Sequence, residues 1–299
     1  MSALPGLSLI GTATKRAAIL ELAPEAERRG FAALACSGTS GLTAMCASIC
    51  HVTNTILFFT SVQPIYVSQP LETAATAAHL HEVSGGRFRL GLGVSHAPLH
   101  KRLGVSAGKP LSDIRDFVEA LHSAETNVGA MPPILLAALR DRMLDLAVDI
   151  AQGALWANGS FAHTPTQLRH LPTERVAAMQ FANMVPTVID ADLDAARAVH
   201  RRTLGGYVTL PNYRNYWRAA GFAEEMDAVE AALANRDREA SAAAMSDRFV
   251  DDCTISGSPT QVRDRLDAWY DIGVMPIAVM SSTTGGQAKA IRELFDAYA

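Results

Sequence analysis

The sequence predicts an α/β protein, a (β/α)8 barrel with an extended helical insertion between its seventh and eighth strands. Three observations lead there. Short apolar runs alternate with longer stretches of helical period, the pattern of a parallel sheet covered by helices. Eight such runs can be placed, and the interval before the last is much longer than one connecting helix requires. The 299 residues, 49% hydrophobic and 19% charged, can bury one large core with no polar stretch to divide them, so 1–299 reads as a single domain.

In chain order the strands fall at 7–10, 32–36, 56–62, 87–94, 134–138, 154–158, 178–186 and 274–280. After the third comes a helix at 70–83, with Leu71, Ala74, Ala75 and Ala78 on one side and Gly85 and Gly86 as its stop. Leu111, Ile114, Val118 and Leu121 form the next stripe, and Met143, Ala147 and Ile150 another before Gly153; both read as exterior helices. The last clear helix takes Ser258 as N-cap and Pro259 at its first position, presents Val262, Leu266 and Trp269 on one face, and ends at Gly273. The insertion spans about 204–252. Its Tyr207, Pro211, Tyr213, Tyr216 and Trp217 form either a lid over a pocket or the packing of an added helix. Within it, 224–244 reads as a solvated helix without chemistry.

Composition removes several function classes. A net charge of -4 with mixed signs disfavours nucleic acid as a partner, while leaving room for a local basic patch. No run is long and uncharged enough to span a bilayer, and the first ten residues lack the basic flank and apolar run of a leader, so the expected location is cytoplasmic. Four cysteines make no disulfide framework, and Cys46, Cys50 and His51 lack a second ligand pair, so no metal is expected.

Functional residues belong at the C-terminal ends of barrel strands. After the fourth strand, Gly91 and Gly93 would let backbone N–H groups approach a planar ring or a phosphate, and Val94, Ser95 and His96 follow. The third glycine of a dinucleotide-binding fingerprint is missing. His96, His100, Lys101 and Arg102 form either an anion-binding cluster or a solvated helix start. After the fifth strand, Ala138 and Leu139 precede Arg140, which pairs either with a phosphate or with Asp141 or Asp145. Trp156, ending the sixth, faces a ring system or fills the core. After the second strand stands Cys36-Ser37-Gly38-Thr39-Ser40-Gly41, whose hydroxyls can orient a ligand but are poor acids, so no catalytic acid or base is named. His79 and His81 read as structural.

The string from Leu80 to Gly93, His-Glu-Val-Ser-Gly-Gly-Arg-Phe-Arg-Leu-Gly-Leu-Gly after its leucine, resembles the segment shared by luciferase-like monooxygenases and coenzyme F420-dependent oxidoreductases. The likeness continues through Glu27-Arg28-Arg29-Gly30-Phe31, Gln69-Pro70-Leu71 and Gly257-Ser258-Pro259-Thr260-Gln261-Val262, and so covers nearly the whole chain. Leu210-Pro211-Asn212-Tyr213-Arg214 with Gly221-Phe222 is similar to an F420-dependent subset. The resemblance implies a TIM barrel whose cofactor ring rests on a bulged end of the third strand, often carrying a non-prolyl cis peptide, and Ser61-Val62 occupies that place. It implies an oxidoreductase transferring hydride between coenzyme F420 and a small organic substrate, with an FMN-dependent monooxygenase and a non-catalytic cofactor-binding barrel as alternatives. A homodimer is implied as well. The cofactor contacts it points to are Ser37, Ser61, Val62, Gly91, Gly93, Val94, Ser95, His96, Ala138, Leu139, Arg140 and Trp156. Two departures stand out: no His or Glu follows the second strand, and no Gly-Pro loop follows the fifth.

Overall fold

The computed structural model describes residues 3–299; Met1 and Ser2, part of the N-terminal stretch considered above, lie outside the described residues. Its strands are β1 (Gly6–Leu9), β2 (Ala33–Ser37), β3 (Leu57–Ser61), β4 (Gln63–Pro64), β5 (Phe88–Gly93), β6 (Ile134–Ala137), β7 (Gly153–Ala157), β8 (Gln180–Ile189), β9 (Ile255–Gly257) and β10 (Met275–Ser281). They form one sheet in the order β10-β1-β2-β3-β5-β6-β7-β8-β9, with β4 beside β5 and a further β10–β8 pairing that closes the eight main strands into a (β/α)8 barrel. All eight expected strands are present. β4 and β9 were not expected, being only two and three residues long. Packing divides the chain into two compact units, residues 3–155 with 173–182, and residues 156–172 with 183–299.

In the first unit, helix Pro70–Val83 buries Thr73, Ala74, Ala77, Ala78 and Leu80. Leu71 is 58% exposed, which corrects the expected stripe: it lies in the first turn, where Gln69 caps and Pro70 starts the helix, and the alanines carry the packing instead. Helix Asp141–Ile150 likewise buries Leu144, Leu146, Ala147 and Val148 rather than the narrower stripe read from Met143 and Ile150. Two charged residues fix the entry to β3. The Glu27 carboxylate accepts from the backbone N–H groups of Asn54, Thr55 and Ile56 at 2.8, 2.6 and 2.9 Å. Arg87 donates to the carbonyls of Cys50, Thr53, Ile56 and Ser84, tying the C-terminal end of helix Leu42–Val52 to the start of β5.

In the second unit, the insertion begins inside a helix: Leu204 lies within Leu193–Tyr207, and Pro211–Ala219, Ala223–Ala234, Arg238–Ala243 and Asp247–Cys253 follow. The 224–244 stretch is therefore two helices, and Met226 and Val229 are buried, so the expectation of one solvated helix is corrected. Of the aromatic residues, Tyr213, Tyr216 and Trp217 are buried, with the Trp217 ring 5.3 Å from Tyr213 and 5.0 Å from Phe249. That is helix packing, the second of the two alternatives. Helix Pro259–Asp271 opens with a capping box between Ser258 and Gln261, and a further helix, Gln287–Ala297, follows β10. Among the described residues no helix is long and apolar enough to cross a membrane, and no group of His, Cys, Asp or Glu is arranged to hold a metal.

Candidate active site

The strongest local feature lies where β3 runs into β4. Phe59 pairs with Arg89, but Gln63 pairs with Leu92, so four steps along one chain match three along the other. The extra residue makes a bulge across Thr60 to Val62, and the Ser61-Val62 peptide is cis. Thr60 supplies what the interrupted ladder loses. Its hydroxyl donates to the Gly91 carbonyl at 2.8 Å and accepts the Gly91 N–H at 3.0 Å.

Both glycines of β5 answer to that bulge. A Cβ on Gly91 would lie 1.8 Å from the Thr60 carbonyl oxygen, a separation no side chain tolerates. Gly91 is thus required by the protein's own backbone and its N–H is already engaged, which corrects the expectation that this N–H faces a ligand. A Cβ on Gly93 would lie 2.6 Å from Val62 Cγ2 and 3.1 Å from the Ala137 Cβ, so Gly93 makes the space that Val62 fills. Two of the expected site residues, Val62 and Gly93, are brought side by side.

The neighbouring strand ends carry hydroxyls. Ser37 is in register with Ser61, and its Oγ lies 2.8 Å from the Oγ of buried Ser8. Neutral at ordinary pH, these groups can donate to or accept from a ligand but cannot deliver much acidity.

Beyond β5 the chain leaves through Val94, Ser95 at φ 59, and His96, then forms helix Ala97–Leu103. His100 Nε2 donates to the Val94 carbonyl at 2.7 Å, fixing the helix to the strand end. His96 is half-buried, and burial, then the neighbouring His100, holds its pKa below the usual imidazole value. It is therefore neutral at pH 7, able to donate from one ring nitrogen and accept at the other. Lys101 and Arg102 are exposed, and Arg102 Nη2 reaches the Thr39 hydroxyl at 3.4 Å, so the basic end of the helix borders the loop after β2.

After β6, Ala138 is buried with its N–H donated to the Leu155 carbonyl at 2.9 Å, Leu139 is half-buried, and Arg140 is exposed where the next helix starts. Trp156 belongs to the second unit, is 1% exposed, and donates Nε1–H to the buried Gln167 Oε1 at 3.1 Å. It fills core, which corrects its assignment to a cofactor ring. The sequence reading missed Thr60 and Ser8. A lone serine between Leu7 and Leu9 was the available signal for Ser8; Thr60 gave none, because strands rich in β-branched residues are ordinary.

Residues 4–275 match the luciferase-like monooxygenase family. Over 270 residues the chain is 24% identical to 5,10-methylenetetrahydromethanopterin reductase of Archaeoglobus fulgidus, covering 80% of this chain and 81% of that protein. Over 274 residues it is 26% identical to the protein of the same name from Methanolobus tindarius, covering 80% and 82%. Among solved structures, coenzyme F420 dependent tetrahydromethanopterin reductase from Methanopyrus kandleri has a TM-score of 0.75 at 18% identity, covering 98% of this chain and 97% of that one. EDTA monooxygenase from Chelativorans sp. BNC1 has a TM-score of 0.67 at 14% identity, covering 99% and 90%. The structural likenesses establish a common fold, and because the family match spans most of the sequence, the chain belongs to the luciferase-like monooxygenase family.

Proposed function

We propose that the protein is an oxidoreductase transferring hydride between coenzyme F420 and a small organic substrate. The observation that carries this reading is the bulge between β3 and β4 seated on Gly93, with an apolar face from Val62 and hydroxyls from Ser37 and Ser61 beside it. Such a donor set suits a flat, uncharged, hydrogen-bonding ring. The exposed Lys101, Arg102 and Arg140 suit a side chain bearing a phosphodiester and carboxylates, which asks for more cations than one phosphate would. The relatives called methylenetetrahydromethanopterin reductases and the F420-dependent solved structure support the same choice.

Bound F420 supplies the carbon that carries the hydride. The protein's part is positional. Val62 covers one side against water, Ser37 and Ser61 fix ring orientation, and the neutral His96 holds a proton on one imidazole nitrogen at the mouth of the site. With serine and threonine hydroxyls in place of a strong acid after β2, the chain favours hydride transfer that needs little proton delivery from that loop. The same proposal takes 1–299 as one domain, the protein as a cytoplasmic homodimer, and Ser37, Ser61, Val62, Gly93, Val94, Ser95, His96, Ala138, Leu139 and Arg140 as cofactor contacts.

An FMN-dependent monooxygenase is the second reading, favoured by the family's own description. Titration of purified protein with F420 and, separately, FMN distinguishes them. Saturable F420 binding should weaken about tenfold or more when Lys101 and Arg102 are both replaced by alanine. Tight FMN binding with no F420 binding would overturn the assignment, and F420 binding without turnover across a broad substrate panel would favour a cofactor carrier.

A further inference from the structure

Tyr66 stands in the short turn Ile65–Val67 just after the bulge, outside every group discussed so far. Its hydroxyl donates to Asp113 Oδ2 at 2.6 Å and accepts the backbone N–H of Gly108. Its ring meets the His100 ring edge-on, with centroids 5.0 Å apart. One side chain thus touches the first turn of helix Pro110–Val128, the loop before it, and helix Ala97–Leu103. The fit is close: a Cβ on Gly108 would lie 2.5 Å from Asp113 Oδ2. Burial, then the Asp113 carboxylate, push the Tyr66 hydroxyl upward, so it remains a donor at any pH where the protein works.

Helix Ala97–Leu103 buries none of its residues, and 106–110 are exposed. A short helix without a buried face is marginal in water, so its position must come from specific contacts rather than from burial. Among them are the His100 bond to Val94, the weak Arg102 bond to Thr39, and the Tyr66 cluster. Along this segment lie Ser95, His96, Lys101 and Arg102.

We propose that Tyr66 is a positioning residue: by clasping Asp113, Gly108 and His100 it holds residues 94–109 in one arrangement and thereby sets affinity for an anionic cofactor it does not touch. The cofactor part of this rests on the F420 reading above. The clasp does not.

The test compares wild type, Tyr66→Phe and Asp113→Asn in three measurements: trypsin cleavage at Lys101 and Arg102 without cofactor, the Kd for F420, and kcat against KM. Tyr66→Phe keeps the ring against His100, so its Tm should stay near wild type while cleavage in the segment becomes about tenfold faster. Its F420 Kd should rise about tenfold with kcat unchanged within about twofold, as expected when a binding-competent arrangement is less populated. Asp113→Asn, which keeps an acceptor oxygen, should fall between the two and serves if Tyr66→Phe folds poorly. Cleavage at the wild-type rate in both variants would overturn the clasp whatever the cofactor is. Faster cleavage with unchanged Kd would overturn its positioning role. If wild type binds no F420, the F420 reading alone has failed; the Kd comparison is then made with FMN, where a tenfold rise supports the positioning role and an unchanged value overturns it.

Discussion

Gly91 and Gly93 look alike in the sequence and do different things. At Gly91 the obstacle to a side chain is the Thr60 carbonyl, part of a backbone already fixed by two hydrogen bonds to Thr60 Oγ1. Gly91→Ala should cost about 3 kcal/mol or more, the upper end for overpacking, because neither strand can move without breaking the ladder; a urea-denaturation midpoint unchanged from wild type would refute this. At Gly93 the nearest atom, Cγ2, belongs to the Val62 side chain. Gly93→Ala should therefore fold, displace Val62, and weaken cofactor binding more than stability. The glycine pair was legible in the sequence, and the family resemblance implied the bulge at Ser61-Val62. The sequence could not disclose why Gly91 is a glycine, since the reason is a one-residue offset between β3–β4 and β5, which only the paired strands display.

Among the elements, the entry to β3 is held by one carboxylate, Glu27, beside the Arg87 guanidinium. Partial burial acts to raise the Glu27 pKa, but bonds from three backbone N–H groups and the Thr55 hydroxyl outweigh it and hold the value down to about 2. A folded-state pKa depressed in this way stabilises the protein above the unfolded value near 4.5, and that contribution is lost as pH falls toward 2. Glu27→Gln should lower stability by about 1 kcal/mol at pH 7, a modest figure because the site is partly open to solvent, and the difference from wild type should shrink at pH 3. A difference independent of pH would contradict the assignment. Helices with strong terminal signals, such as Pro70–Val83 and Pro259–Asp271, were readable to the residue at their starts. Their buried faces were less so: alanine is weakly informative about which side packs, which is how Leu71 was misplaced. β4 and β9 escaped because pairing, not composition, makes two or three residues a strand.

At the scale of the molecule, eight apolar runs were enough to read the barrel, while the 204–252 region resisted because its helices pack aromatic residues on one another rather than on strands. Stability of the whole should depend on pH through buried imidazoles. His200, fully buried and donating to the Ile255 carbonyl, has its pKa pushed down to about 4 by burial. The unfolded chain takes up a proton near 6.5 that the folded chain refuses until about 4, so stability is complete above 6.5 and declines as pH falls through that window. His96, depressed in the same direction, adds to the decline. Urea midpoints should fall between pH 7 and 4.5 by an amount worth about 2 kcal/mol, and His200→Gln should flatten the slope; an equal slope in the variant would remove His200 as its source. The central claim is that this family member works as an F420-linked hydride-transfer enzyme. It is tested most directly by following F420 absorbance and dissolved oxygen together while purified protein, reduced cofactor and a substrate panel react. The account predicts oxidation of reduced F420 by at least one substrate at a rate unaffected by removing dioxygen; dioxygen uptake with reduced FMN and no change in F420 would contradict it.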